Sequence, residues 1–204
     1  MVTAASQRTP QQERSRLTRE RLLASTIDVL ASEGWAAATV AAVAERAGVS
    51  RGAAQHHFPT RESLITAVLE QIFDDMAQAA TTLVDIVPDD LDERARMAVD
   101  RAVAIYTGTE FKASLQVWAA AASDATLREL ILPMEARFAR AAHRMVMSAL
   151  GAAPDDANAR RLVQATLDLA RGLGLADTLS DDSARRAQVV DTWSAMMALG
   201  LRSV

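Results

Sequence analysis

Apolar residues recur along this chain at helical spacing, and the gaps between the periodic stretches hold capping and turn residues. Leu22, Leu23, Ile27, Leu30 and Ala31 make one face of a first helix over 14–33, with Gly34 placed to close it. Thr39 suits the cap of a short helix to about 47, with Val40, Val43 and Ala44 on its inner side and Gly48 as its stop. Ser50 caps a third short helix to about 58. Pro59 ends that helix and Thr60 opens a fourth, in which Leu64, Ile65, Val68, Leu69, Ile72 and Phe73 form a broad stripe reaching to about 84. Beyond the linker Pro88-Asp89-Asp90, the pattern predicts helices over 91–107, 110–123, 126–150, 155–173 and 183–202. Pro133 falls inside the 126–150 run and is expected to kink or divide it. No segment alternates as a strand would, so the predicted class is all-α with about nine helices.

These elements group into a flexible N-terminal arm (1–13), a small helix-turn-helix domain (14–60) and a larger helical body (61–204). Composition agrees with helix: alanine is abundant, whereas the 204 residues include 8 Gly and 5 Pro. With 50% hydrophobic and 24% charged residues, the chain can bury a core. The absence of Cys removes disulfides, thiolate metal sites and cysteine nucleophiles. No run approaches the roughly 18 apolar residues of a membrane span. The polar, Arg-rich start has no apolar signal region, so the expected compartment is the cytoplasm, with no membrane partner.

The net charge of −4 conceals an asymmetry. Residues 1–62 carry eight Arg against six acids, a balance of +2, and the remainder carries 14 basic against 20 acidic residues, a balance of −6. A mildly basic head on an acidic body suggests separate partners for the two parts.

Candidate chemistry concentrates between Thr39 and Phe58. Two short helices that cross steeply need a small residue where they touch, a glycine able to take positive φ, and an apolar plug after the turn. Ala44, Gly48 and Val49 fill those roles, and Ala54 points back into the core. The second helix then offers Arg51, Gly52, Ala53, Gln55 and His56 outward. Arginine can contact guanine bidentately and glutamine adenine, and Gly52 allows close backbone approach. Such a helix pair also occurs in folds that never meet DNA.

The longer run from Ala31-Ser-Glu-Gly-Trp35, through Thr39-Val-Ala-Ala-Val-Ala-Glu-Arg-Ala-Gly-Val-Ser-Arg-Gly52, to His56-His-Phe-Pro-Thr-Arg-Glu-Ser-Leu64 resembles the N-terminal domain of the TetR/AcrR family of bacterial transcriptional regulators. The resemblance implies a ligand-responsive repressor, acting as a homodimer through its last two helices on a palindromic double-stranded DNA operator. It also implies an effector pocket in the body. Thr39, Ser50, Arg51, Ala53, Gln55, His56 and Arg61 correspond to the family's DNA-contact positions. Gln55 departs from the usual tyrosine, so a polar contact is expected to replace the contact that ring makes to phosphate or a thymine methyl.

Within the body, Tyr106, Phe111, Trp118, Met134, Phe138 and Met145 are large residues on alanine-rich helices and are the pocket candidates, with core packing as the alternative role. His56 and His57, being adjacent, point about 100° apart on a helix and suit no shared metal. His143 is expected to be a surface or satisfied histidine. No metal or cofactor is expected. An enzyme is disfavoured because no phosphate loop or His-carboxylate metal spacing is present, and Gly172-Leu-Gly174 lacks a preceding strand. The remaining alternative is a helical scaffold that binds a protein partner and ignores DNA.

Overall fold

Helices begin where a side chain can replace a missing backbone partner. Thr39, Ser50, Asp90, Asp124 and Asp156 each lie in extended backbone and accept an N–H from the first turn that follows. The computed structural model describes residues 10–82 and 87–202. Among these lie nine α-helices: α1 (Pro10–Glu33), α2 (Val40–Arg46), α3 (Arg51–His57), α4 (Arg61–Thr82), α5 (Leu91–Ile105), α6 (Thr109–Ser123), α7 (Ala125–Leu150), α8 (Ala157–Asp177) and α9 (Ser183–Arg202). A 3-10 turn, Trp35–Ala37, follows α1, and no strand occurs among the described residues.

Several boundaries differ from the sequence pattern. Residues 10–13, expected in the arm, belong to α1. Proline is tolerated in a first helical turn, and Arg16 pairs with both Glu13 and Glu20 along the same face. The rest of the expected arm, 1–9, lies outside the described residues, as do 83 and 84, where the fourth helix was expected to end. α7 continues through Pro133 without dividing. One missing N–H is outweighed by the face that buries Ile131, Met134, Phe138, Ala142 and Val146. The helix expected over 155–173 starts two residues later, because Asp156 is the cap, and runs on to Asp177 through Gly172 and Gly174.

The head packs α1 against α2, α3 and α4. Leu22, Leu23, Leu30, Leu64, Ile65 and Val68 are almost fully buried there. Each such side chain contributes about 1.5–3 kcal/mol relative to exposure. In the body, α5 is central and packs on α7, α8 and α9. Its Ala95, Ala98 and Ala102 are fully buried, so the neighbouring helices approach closely. α8 and α9 are antiparallel: Asn158 donates to the Gly200 carbonyl at 2.9 Å, Trp193 Nε1 to Thr166 Oγ1 at 2.9 Å, and Arg186 pairs with Asp177 at 2.5 Å.

α6 and α4 connect head and body. α6 packs on α1 and on the 3-10 turn as well as on α7. Gln116 Oε1 lies 3.3 Å from where a β-carbon on Gly34 would stand. α4 carries the core of the head into the body, where Phe73 stacks on Phe138 with ring centroids 4.7 Å apart.

Candidate nucleic-acid interface

The turn between α2 and α3 is closed by backbone hydrogen bonds. The Val49 N–H donates to Ala44 O at 2.9 Å and the Gly48 N–H to Glu45 O at 3.0 Å, the pairing of a Schellman cap. This geometry puts Gly48 at φ 61°, where a β-carbon would be strained. Arg21 braces the same turn from α1, its Nη2 donating to Ala47 O at 2.5 Å. Glu33 at the end of α1 pairs with Arg46 at 2.7 Å. Ala44 and Ala54 are buried at the crossing, and Val49 is half-buried beside them. The small side chains let two seven-residue helices sit together with little else between them.

α3 therefore has a fixed inner and a free outer side. Ser50 Oγ accepts the Ala53 N–H at 3.2 Å and Thr39 Oγ1 accepts the Ala42 N–H at 3.2 Å. Thr39, Ser50, Arg51, Gly52, Gln55 and His56 are exposed, and Ala53 is half-buried. Arg51 and Gln55 stand four residues apart and so share one strip of the helix surface. Neither forms a hydrogen bond or ion pair with a described residue. His57 is half-buried between His56 and Phe58, with ring centroids at 5.7 and 6.3 Å. Burial, and then the charges of His56 and Arg19, hold its imidazole below the ordinary histidine range.

Arg61 is placed differently from the other sequence candidates. Its guanidinium lies over the Trp35 ring, 3.8 Å from the centroid, and Nη2 donates to the Trp35 carbonyl. Nε is buried without a hydrogen-bond partner. Desolvation lowers the arginine's pKa, opposed by the nearby Glu62 charge. This side chain fastens the 3-10 turn to the start of α4, and a phosphate contact would compete with that packing. Sequence reasoning also missed Arg21, whose bracing role spans 26 positions and leaves no local signal.

Of the pocket candidates, four rings come together. Tyr106 meets Phe111 at 5.6 Å and Phe138 at 6.1 Å, and Phe111 meets Trp118 at 5.9 Å, all edge to face. The cavity left beside Phe73, Phe111, Trp118 and Phe138 is about 10 Å³. That is room for at most one water. The rings fill the space they were expected to line. Met134 is buried and Met145 half-buried on α7, and neither lines this cavity. Two polar residues that sequence did not single out reach the rings. Arg171 donates to the Tyr106 hydroxyl at 3.1 Å, and Glu135 is placed near both.

His143 is half-buried, with Nε2 3.3 Å from the Arg160 carbonyl. Among the described residues, no group of three or more His, Asp or Glu is arranged to hold a metal ion. No described helix is long and apolar enough to cross a membrane.

Residues 22–68 match the family described as bacterial regulatory proteins, tetR family. The HTH-type transcriptional regulator CymR of Pseudomonas putida is 34% identical over 123 residues, covering 60% of this chain and 60% of its own length. The chain thus spans about three fifths of the length of the curated relatives it matches. A transcriptional regulator from Rhodococcus sp. Rha1 has the same fold, with a TM-score of 0.69 at 24% identity over 89% of this chain and 96% of its own. The multidrug binding protein EbrR, complexed with imidazole, matches at 0.56 with 24% identity over 88% of this chain and 93% of its own. At these identities the solved structures speak to the fold alone.

Proposed function

Given that this chain belongs to the tetR family of bacterial regulatory proteins, we propose that it is a ligand-responsive repressor. It binds a palindromic operator as a homodimer and leaves it when a small molecule enters the body. The family and the named relatives are transcriptional regulators, which are not enzymes. Residues 14–60 serve as the DNA-binding head, its core completed by the first turns of α4, and 61–204 as the effector-binding and dimerisation body. Its site of action is the bacterial cytoplasm.

The observation that carries the reading is the outer face of α3. Arg51, Gln55 and His56 are exposed on a helix whose opposite side is pinned by Ala54 and Phe58. Inserted in a major groove, Arg51 reads guanine and Gln55 adenine, while Gly52 and Ala53 permit close approach. Thr39, Ser50 and His56 take phosphate contacts that set the register. Arg61 adds to these through whatever freedom its packing on Trp35 leaves.

Dimerisation through α8 and α9 is supported by apolar side chains left in the open. Leu175, Met196 and Leu199 are 52%, 55% and 60% exposed, and nothing lies within 4 Å of a β-carbon placed on Gly172. A dimer so built would hold two α3 helices for half-sites about 34–36 Å apart. Release follows if the effector prefers a form with another spacing, since a ligand shifts an equilibrium only by its differential affinity. The small molecule bound in EbrR supports a ligand-holding body here.

Selection of binding sequences from random duplex DNA, followed by gel shift on the enriched site, tests the reading. The expected product is a palindrome bound by the dimer. Failure to enrich any sequence would leave a DNA-silent helical scaffold as the better description.

A further inference from the structure

The body holds a charged group that DNA recognition does not use. Glu135 lies on α7, two residues after Pro133 and on the turn that precedes Phe138. Its Oε2 is buried and has no hydrogen-bond partner. Leaving a carboxylate oxygen in that condition is costly, because the water it gave up is not replaced. The surroundings are the aromatic cluster. Burial raises the carboxyl's pKa, while the Arg171 charge and a hydrogen bond from Trp118 pull it back.

Arg171 leaves Glu135 Oε2 without a partner, and two of its five N–H donors are directed elsewhere. Nη1 is 3.2 Å from Asp168 Oδ1 and Nη2 donates to the Tyr106 hydroxyl at 3.1 Å. Its guanidinium also lies over the Tyr106 and Trp118 rings, at 5.0 and 5.9 Å from their centroids. The faces of these rings already accept a cation. What the site lacks is a donor for Oε2.

We propose that Glu135 is the polar recognition group of the effector site, and that the effector is an aromatic or apolar molecule carrying a cationic nitrogen. This rests on the reading of the body as an effector-binding domain. The nitrogen donates to Oε2, where a charged donor offsets the desolvated carboxylate better than a neutral one. The apolar part enters among Phe111, Trp118 and Phe138. An anionic molecule would bring like charge to Glu135, and the cationic nitrogen must approach Oε2 from the side away from the Arg171 guanidinium, which covers the Tyr106 and Trp118 faces. Entry requires the rings to part, since the cavity of about 10 Å³ holds no such molecule. Pro133 lowers the resistance to that movement, because the α7 turn before Glu135 lacks one backbone hydrogen bond.

Naphthylmethylamine, naphthylmethanol and naphthoate share one ring system and differ in head charge, so titrating each into the full chain by calorimetry at neutral pH tests the proposal. The amine is expected to bind about tenfold or more tighter than the alcohol, and naphthoate weakest. Glu135→Gln should abolish the preference for the amine over the alcohol. Glu135→Asp, which keeps the charge but withdraws it, should reduce that preference without removing it and covers the case of a poorly folded Gln variant. Naphthoate binding as tightly as the amine, or a preference that survives in Glu135→Gln, overturns the assignment and leaves the effector pocket standing. If none of the probes binds the wild-type chain, the reading of this cluster as an effector site falls with it.

Discussion

The head and the body are built on opposite terms. In the head, the surface that matters is open and its shape comes from backbone geometry: two side-chain caps, a left-handed glycine and two buried alanines. In the body, the residues that matter are buried or half-buried, and their positions come from side chains drawn from distant parts of the chain, such as Tyr106 and Arg171, 65 positions apart. The lesson is that a preformed reading surface can be encoded locally, whereas an enclosed site depends on how whole helices settle against one another. Substitutions in the body should therefore register first in stability, and those on the head's outer face in binding.

The largest effect is expected at Gly174. A β-carbon there would stand 1.8 Å from the Tyr106 carbonyl oxygen and 2.9 Å from Phe111. Gly174→Ala forces α8 away from α5 and should cost about 3 kcal/mol or more in urea unfolding. A cost below about 1 kcal/mol would show that the body is looser than this contrast requires. Arg51→Ala comes next. It should leave the unfolding midpoint unchanged while lowering specific DNA affinity by about 1–3 kcal/mol and relaxing preference at one position per half-site. Competition gel shifts with singly substituted sites would measure it.

Gly48→Ala tests whether the head depends on its turn. Positive φ alone should cost about 1–2 kcal/mol in stability, and the Arg21 guanidinium, 3.1 Å from the new β-carbon, would have to yield. Thermal melts of the variant read this cost. The smallest effect is expected for Glu135→Gln, where the sign is informative. The folded state raises the Glu135 pKa, so it binds that proton more tightly than the unfolded chain does. The glutamate's stability contribution is present below its unfolded pKa and is lost as pH rises through the raised folded value. The neutral Gln variant escapes that loss. It should melt higher than wild type at neutral pH, with the gap closing on acidification below the ordinary carboxylate range.

The contrast also explains what could be read from sequence. α2 and α3 were legible to within a residue because Thr39, Gly48, Ser50 and Pro59 act on neighbours in the chain. The helix ends set by Asp90, Asp124 and Asp156 were legible to within about two residues for the same reason. Gly172 and Gly174 were misread as the end of a helix, because the partner that requires Gly174, the Tyr106 carbonyl, is remote in sequence. That Pro133 does not divide α7 was not legible, since periodicity shows the lost hydrogen bond but not the burial that holds the helix together. Glu135 sat in an amphipathic pattern where glutamate normally meets water, and nothing nearby announced the rings around it. Arg61 matched a family position, yet its stacking on Trp35 depends on a turn that forms 26 residues earlier.

Gln116 and Trp118 stand two positions apart on α6, about 200° around its axis. One presses toward Gly34 at the foot of α1 and the other belongs to the ring cluster. The helix is thus a party wall with a tenant on either side: whatever shoves the indole outward pushes the amide toward a glycine already held at positive φ.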